Sequence, residues 1–418
     1  MLNRSQLELM SPAGNFECLT AAMQGGANAV YFGVGSLNMR SRSANNFQLS
    51  DLHKISQICK QKEVRTYLTV NTILYDDEIP EMQRMIETAR EAGISAIIAS
   101  DIAAIQYART CGMEVHLSTQ VNLTNIEALR FYAHFADVVV LSRELTLVQV
   151  AEIHKIIQEQ QITGPGGELV RIEMFCHGAL CMAVSGKCYL SLHEYNASAN
   201  RGACYQLCRR GYTVTDNDTG RQLAIDNEYI MSPKDLCTIA FLDKMVDAGV
   251  RVFKIEGRAR PAEYVKTVTT AYNRALQAIA EGAYTAELTT ELTAKLQTVF
   301  NRGFWDGYYQ GARLGEWSEV YGNKATRRKT YIAKAINYFN HLGVAEFYVE
   351  TGSLKKGDEV LIMGPTTGVI PVIIDDVRVD LQTVNSVEKG TYFSIAVPEK
   401  VRRADKLYKW ELQDLNNK

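Results

Sequence analysis

The chain has 418 residues, of which 46% are hydrophobic and 22% are charged, and its formal net charge is -2 at pH 7. This length predicts two or three domains, and this composition excludes wholesale disorder. The near-neutral charge excludes a globally basic nucleic-acid coat but leaves room for a local basic patch.

The first 260 residues repeat one pattern, in which an apolar or β-branched run ends in a polar or glycine-rich tip and a helical pattern follows. Eight parallel strands in one domain predict a (β/α)8 TIM-like barrel, whose chemistry lies at the C-terminal tips of the strands. The predicted strands are Leu7–Met10, Ala29–Phe32, Arg65–Val70, Ala96–Ala99, Glu114–Leu117, Val138–Leu141, Arg171–Phe175 and Arg251–Ile255.

Helical spacing of leucine, isoleucine and alanine predicts the helices between these strands. They are Asn15–Gly25, Asp51–Lys62, Asp77–Ala92, Ile126–Phe135 and Leu147–Gln160, with Lys234–Ala248, Pro261–Glu281 and Glu287–Phe300 further along the chain.

From about residue 329 the pattern changes to alternation, which predicts a small C-terminal β domain, interpreted as a β-barrel. The predicted domains are residues 1–325 and 326–418. Strands are predicted at Tyr331–Phe339, Ala345–Glu350, Glu359–Met363, Gly368–Val379 and Thr391–Val397.

No apolar run reaches the roughly 18 residues of a membrane span, and the first residues lack the apolar segment of a secretory signal. We therefore expect a cytoplasmic protein without a membrane partner. Cytosolic cysteines stay reduced, so an uneven cysteine distribution points to metal or redox use rather than disulfides.

Six of the nine cysteines fall within residues 176–237, a cysteine-rich insertion before the eighth predicted strand. Four thiolates suit either an iron–sulfur cluster or zinc, and the wide spacing here favours a cluster over the close pairs of structural zinc. A site without metal stays open as well, because buried cysteines are common apolar residues.

Three segments of the insertion, HGALCMAVSGKC, NRGACYQLCRR and SPKDLC, resemble the signature of the peptidase U32 family, also called collagenase-like proteases. The resemblance extends to ELMSPAGNFECLTAAMQGGANAVYFG, to KIEGRARPAEYV and to the C-terminal β domain, so it covers nearly the whole chain.

The family resemblance implies a [4Fe-4S] cluster on Cys181, Cys188, Cys204 and Cys237, with Cys208 or Cys176 as a possible substitute. A chain of this length is most similar to the branch that forms 5-hydroxyuridine at the tRNA wobble position, with prephenate as the implied hydroxyl donor. The C-terminal domain in this family resembles the β-barrel of elongation factor Tu. The implied partners are tRNA and a second protein of the same family; ribosomal RNA and a quinone precursor stay open as substrates.

The family name also implies a metal-dependent peptidase, but the sequence contains neither GxSxG nor HExxH. His116 and His177, at the fifth and seventh strand tips, are the candidate catalytic or metal-binding groups, together with Glu144 or Glu173. Glu256 is a third candidate catalytic residue, although orienting the neighbouring arginines suits it better. A third alternative is a non-catalytic zinc scaffold that binds RNA.

A dicarboxylate donor needs cationic partners, and arginine binds carboxylates in a bidentate manner. The candidate substrate-binding residues are Lys254, Arg258 and Arg260 at the eighth tip and Arg143 at the sixth.

RNA affinity also requires local positive charge. The basic runs 327–329 and 400–403 are candidates for phosphate contacts, and the aromatic loop 304–309 is a candidate for base stacking or for the interdomain core.

Overall fold

The computed structural model describes residues 3–42, 46–222, 229–320 and 322–413. The first domain contains nine principal strands, and all of them except β8 form a barrel. These are β1 (Glu8–Pro12), β2 (Ala29–Gly33), β3 (Arg65–Val70), β4 (Ala96–Ala99), β5 (Glu114–Leu117), β6 (Val138–Val140), β7 (Arg171–Ala179), β8 (Asp235–Cys237) and β9 (Val250–Ile255).

The eight barrel strands pair in parallel in chain order, and β9 closes the ring by pairing with both β1 and β7. Val252, Phe253 and Lys254 are paired on both sides, and Phe253, for example, lies opposite Leu9 of β1 and Met174 of β7. The (β/α)8 barrel predicted from the strand–helix alternation is therefore confirmed.

Ten α-helices are found in the described residues, most of them on the outside of the barrel. They are α1 (Phe16–Gln24), α2 (Leu52–Lys60), α3 (Ile79–Glu91), α4 (Ile102–Thr110), α5 (Ile126–Ala133), α6 (Leu147–Glu159), α7 (Leu190–Tyr195), α8 (Leu242–Asp247), α9 (Ala262–Glu281) and α10 (Ala286–Gln297).

Local capping explains where several of these helices begin. The side chain of Asn15 accepts a hydrogen bond from the Cys18 backbone N–H at 2.8 Å at the start of α1. Asn125 caps α5 in the same way through Ala128 at 2.9 Å. Such caps satisfy backbone donors that have no partner within the helix, so they fix the residues at which α1 and α5 begin.

The barrel interior contains a small apolar core and, at its N-terminal end, a group of charged residues. The core is formed by Met10, Ala29, Tyr31, Tyr67, Ala96, Ile98, Val138 and Val252. The first residues of β1, β3, β5 and β7 form ion pairs with one another across the barrel floor, and they are Glu8, Arg65, Glu114 and Arg171.

One predicted helix is wrong over part of its length. Lys234–Ala248 was expected to be helical, but Asp235–Cys237 is strand β8 and only Leu242–Asp247 is helical. The physical reason is tertiary: β7 continues past the barrel to Ala179, and its free edge pairs antiparallel with β8.

The C-terminal part is antiparallel sheet, as the alternation predicts. Before it, the short strand β10 (Phe304–Trp305) extends the barrel sheet beside β8. The strands of the C-terminal part are β11 (Arg327–Phe339), β12 (Val344–Val349), β13 (Ser353–Lys355), β14 (Glu359–Gly364), β15 (Gly368–Ile373), β16 (Val377–Val379), β17 (Gln382–Val384), β18 (Ser386–Glu388), β19 (Tyr392–Ala396) and β20 (Lys406–Leu412). Eight of them form one sheet in the order β15-β14-β20-β11-β12-β19-β16-β17, and β13 pairs with β18.

The two domains pack together through α1 and the β14–β15 hairpin. The Gln24 side chain of α1 accepts from the Val369 N–H at 2.9 Å and donates to the Thr367 carbonyl at 3.0 Å. Leu361, Met363 and Val369 belong to the same apolar core as the barrel helices. In the part of the chain that the structure describes, every helix is too short or too polar to cross a bilayer.

Candidate functional site

A cleft opens at the C-terminal ends of the barrel strands, where the cysteine-rich insertion covers the barrel mouth. Four cysteines line it: Cys181, Cys188, Cys204 and Cys208. Three of them belong to the four ligands that the family resemblance implies, and Cys208 is the substitute that it allows.

The four cleft thiols are close enough to influence one another's ionisation. Burial, together with the negative charge of Cys181, Cys204 and Cys188 and against the opposing charge of Arg209, raises the pKa of Cys208 to about 11. Cys181 is exposed and the other three are partly buried.

This donor set, four soft thiols from one insertion around one cleft, fits an iron–sulfur cluster. Within the described ranges, no three His, Cys, Asp or Glu side chains surround a position for a single metal ion.

Cys237 and Cys176 lie outside this cleft. Cys237 is buried on β8, where the Tyr272 hydroxyl is 3.9 Å from its sulfur. Cys176 is fully buried on β7, with its sulfur 3.4 Å from the Lys254 carbonyl oxygen. The assignment of Cys237 as a ligand stays a prediction, and the structure offers Cys208 in the cleft instead.

The cleft is strongly cationic. Its described lining includes five arginines and a single carboxylate, that of Glu256, and it includes neither lysine nor histidine. The arginines come from five separate parts of the chain, and they are Arg40, Arg143, Arg209, Arg260 and Arg302. A site with this excess of guanidinium groups favours an anionic ligand.

Glu256 follows the last barrel strand and pairs with Arg40, with 2.8 Å between Nη2 and Oε1. Burial would raise the pKa of Glu256, but the charge and hydrogen bonds of Arg40, together with Arg258 and Arg143, lower it to about 2. The carboxylate therefore stays ionised and orients Arg40, which suits the orienting role better than that of a general base.

Two of the predicted substrate-binding residues reach the cleft. Arg143 donates to the Ala179 carbonyl at 3.3 Å and to the Ser185 hydroxyl at 3.2 Å, and its guanidinium lies 5.2 Å from the ring centre of Phe175. Arg260 lies 3.5 Å from the ring centre of Phe300. Both cations are held over aromatic faces, which fixes their orientation.

The other two predicted binding residues are used inside the barrel. Arg258 is buried and donates to Asn38 at 3.1 Å and to Thr69 at 2.8 Å, which ties the loop after β9 to the β2 and β3 tips. Lys254 points into the barrel and donates to Glu173 at 2.6 Å. Neither residue lines the cleft.

His116 lies in the barrel interior. Its ring nitrogens are 3.0 Å from Glu114 and 3.5 Å from Glu173, and its ring packs against Tyr67. Burial lowers its pKa, but the two carboxylates outweigh this and raise the pKa above its ordinary value. Glu173, which the sequence offered as a possible metal ligand beside His116, lies with it in a buried ion network that also includes Lys254.

His177 points to the opposite side of the barrel wall, where it packs between Tyr264, Tyr272 and Phe304. Burial, aided by the charge of Arg260, lowers its pKa to about 3, so the ring is neutral near pH 7. The structure therefore does not bring His116 and His177 together across the barrel mouth.

Two other sequence features are largely used in packing. In the basic run 327–329, Arg327 pairs with Glu359 and Lys329 pairs with Glu263. In the aromatic loop, Tyr309 is buried and donates to the Phe175 carbonyl at 3.0 Å, so this part of the loop belongs to the core.

Sequence reasoning missed three cleft arginines, namely Arg40, Arg209 and Arg302. Arg209 carried a signal, because it directly follows Cys208 in the NRGACYQLCRR motif. Arg40 and Arg302 lie in loops far from that motif, and only the closure of the barrel brings them to the cleft.

The sequence profile of peptidase family U32 matches residues 14–319. A protein of Porphyromonas gingivalis named collagenase is 59% identical over 99% of this chain and 100% of its own length. The tRNA hydroxylation protein P1 of Bacillus subtilis is 31% identical over 86% of this chain and 83% of its own length.

The 23S rRNA 5-hydroxycytidine C2501 synthase of Escherichia coli is 36% identical over 74% of this chain and 46% of its own length. The profile match and these identities confirm the resemblance carried by the cysteine motifs. The chain belongs to the peptidase U32 family.

Proposed function

We propose that this chain is an RNA-modifying enzyme that hydroxylates a pyrimidine, with tRNA as its substrate and 5-hydroxyuridine at the wobble position as its product. Relatives named for hydroxylation of tRNA and of ribosomal RNA support this proposal, since they match 86% and 74% of the chain. Ribosomal RNA is the alternative substrate.

The observation that carries the proposal is the composition of the cleft. Four thiols and five arginines share one opening at the C-terminal ends of the barrel strands, with Glu256 as the single carboxylate of the described lining. Hydroxylation without oxygen requires a redox group and a bound hydroxyl donor. The thiols are suited to hold the redox group, and the arginines are suited to bind the hydroxyl donor.

A [4Fe-4S] cluster would be held by Cys181, Cys188 and Cys204, with Cys208 as the fourth thiol of the cleft. When bound, the cluster would supply electron transfer at the barrel mouth. A cluster with four thiolates carries net negative charge, and the neighbouring Arg209 and Arg302 would compensate it. The positive charge of the same two arginines would disfavour the binding of a single metal cation at this site.

The arginines of the barrel mouth would bind the hydroxyl donor. Prephenate, the donor implied by the family resemblance, carries two carboxylates, and guanidinium groups bind carboxylates through paired hydrogen bonds. Arg143 and Arg260 are held over aromatic rings and leave their remaining donors toward the cleft.

A peptidase is the second candidate function, because the 59% identical relative is named collagenase. A peptidase needs a nucleophile–base pair or a metal-bound water. His116 and His177 are both buried and lie outside the lining of the cleft. This placement favours RNA hydroxylation over peptide hydrolysis in the cleft.

The test is nucleoside mass spectrometry of tRNA and ribosomal RNA from a strain that lacks the gene. The strain is then complemented with the intact chain, with Cys188→Ala or with Cys111→Ala as the matched cysteine control outside the cleft. We expect 5-hydroxyuridine derivatives to disappear from tRNA on deletion and to return with the intact chain and with Cys111→Ala, but not with Cys188→Ala.

If deletion removes a hydroxylated cytidine from ribosomal RNA and leaves the tRNA profile unchanged, the substrate would be ribosomal RNA. If both RNA profiles stay unchanged while the purified protein cleaves denatured collagen, and His177→Ala abolishes the cleavage, the peptidase function would replace the proposal.

A further inference from the structure

Three tyrosines stand exposed on the cysteine-rich insertion, and we call them the tyrosine rim. Their relative exposures are 73% for Tyr189, 46% for Tyr195 and 48% for Tyr205. Tyrosine is usually at least partly covered in folded proteins, so three exposed rings in one short segment are unusual. Exposed aromatic surface of this kind marks interaction sites.

The tyrosine rim borders the thiol cleft directly. Tyr189 lies between Cys188 and Leu190, which both line the cleft, and Tyr205 lies between Cys204 and Gln206, which line it too. Consecutive Cα atoms are about 3.8 Å apart, so the backbone positions that carry Tyr189 and Tyr205 adjoin the cleft lining on both sides.

The rim is held in a fixed arrangement. The rings of Tyr195 and Tyr205 are 5.3 Å apart with an interplanar angle of 61°. The Tyr205 backbone N–H donates to Ser191 at 3.0 Å, which anchors it to α7. Arg210 donates to the Tyr195 hydroxyl at 3.0 Å, with its guanidinium 5.8 Å from the ring centre.

The surrounding charge indicates what kind of molecule these rings meet. Residues 181–212 contain four basic side chains, Lys187, Arg201, Arg209 and Arg210, and a single acidic one, Glu194. Arg201 is paired with Glu78, whereas Arg210 is exposed beside the rim. Aromatic faces combined with positive charge match unpaired nucleotides, which present both flat bases and phosphates.

We propose that the tyrosine rim is a stacking platform for the unpaired nucleotides that flank the target base, with Arg210 on a neighbouring phosphate. The platform selects single-stranded over duplex RNA, because bases within a duplex have no free face to stack on. This inference rests on the proposed RNA hydroxylation, for which it names the recognition surface.

The test measures binding by fluorescence anisotropy, with cluster-loaded protein and a labelled oligouridine of about ten nucleotides, a length within the usual site size of single-strand binders. We expect Tyr189→Ala and Tyr205→Ala each to weaken binding about tenfold. Tyr205→Phe should bind as the wild type does, because it retains the ring. Phe131→Ala, an exposed aromatic on α5, is the control outside the rim and should also leave affinity unchanged.

A duplex of the same length should bind weakly to every variant. If the wild type binds oligouridine and both alanine variants bind it equally well, the proposed stacking platform is wrong, but the proposed RNA hydroxylation is not contradicted. If the wild type shows no affinity for RNA, the proposed function fails with it. Unchanged RNA affinity together with a loss of self-association, or of association with a second U32 protein, would assign the rim to a protein interface.

Discussion

Arg40 and Glu256 form an ion pair of 2.8 Å that joins the loop after β2 to the end of β9. Both residues line the thiol cleft, so the pair connects two sides of the barrel mouth at the candidate site. The Tyr31 hydroxyl lies 3.4 Å from the same carboxylate and donates to the Ile255 carbonyl at 2.9 Å. The stability of this wall of the cleft therefore depends on the charge of Glu256.

The Arg40–Glu256 ion pair predicts an acid-sensitive contribution to the free energy of unfolding. The pKa of Glu256 falls from an ordinary 4.5 to about 2 in the folded chain. The unfolded state therefore binds more protons below pH 4.5, and the stabilisation is complete above that pH and is lost as the pH falls toward 2.

We expect the stability difference between wild type and Glu256→Gln to shrink by about 2 kcal/mol between pH 6 and pH 3. Urea unfolding across this range measures the difference, and Glu152→Gln, an exposed position on α6, is the control. A difference that does not change with pH would show that the pair does not stabilise the fold through the ionised carboxylate.

The second prediction concerns the fourth thiol of the cluster. Cys208 lines the cleft, whereas Cys237 is buried on β8 near Tyr272. After anaerobic purification we expect Cys208→Ser to lose most of its iron and its absorbance near 400 nm, and Cys237→Ser to retain both. Iron retained in Cys208→Ser but lost in Cys237→Ser would assign the ligand as the family resemblance does. In that case β8 would have to move toward the cleft.

The third prediction concerns the anion site. Arg143 donates to two groups of the cleft wall, and its remaining donors are available to a carboxylate. A charge-assisted hydrogen bond contributes about 1.5–3 kcal/mol, so Arg143→Gln should weaken prephenate binding about 10- to 100-fold. Calorimetric titration of the cluster-loaded protein measures the affinity, and Arg84→Gln on α3 serves as the control. Equal affinity in both variants would remove Arg143 from the donor site.

The fourth prediction concerns the contact between the domains. Gln24 bonds to backbone groups of residues 367 and 369, and Gly368 between them adopts a φ of +65°. A Cβ at Gly368 would lie 2.4 Å from the Gln24 side-chain oxygen. Gly368→Ala should therefore cost about 2 kcal/mol or more through clash and backbone strain, and Gln24→Ala about 1–3 kcal/mol through unpaired backbone groups.

Thermal unfolding of both interdomain variants, with Gln57→Ala on the exposed face of α2 as the control, measures these costs. We expect a lower Tm for both variants and an unchanged Tm for the control. A wild-type Tm in Gly368→Ala would mean that α1 and the hairpin separate at no cost.

Most barrel elements could be predicted because their signals are local. The runs Arg65–Val70 and Ala96–Ala99 were predicted with the boundaries that the structure has. Ala96–Ala99 is a short apolar run, and Arg65–Val70 is rich in β-branched and aromatic residues, the composition that a largely buried strand favours. β20 was missed although it lies in the middle of its sheet, because Lys406–Leu412 mixes charged and aromatic residues with only partial burial.

The site was less predictable than the fold. Arg143 and Arg260 were expected at the barrel mouth and are found there, whereas Lys254 is one residue short of the strand end. Successive side chains of a strand alternate between the inner and the outer face of the barrel wall, and the position of Lys254 is one that faces the interior. Lys254 therefore points inward to Glu173, where the low-dielectric interior requires a paired charge.

Periodicity and motif spacing are properties of short segments, so they are enough to predict the barrel, the cysteine-rich insertion and the U32 family. Three features follow only from the folded chain: Arg40, Arg209 and Arg302 share one cleft with four thiols, β8 pairs with the free edge of β7, and His116 and His177 lie on opposite sides of the barrel wall. These outcomes depend on contacts between residues far apart in the chain, which form only when the barrel closes.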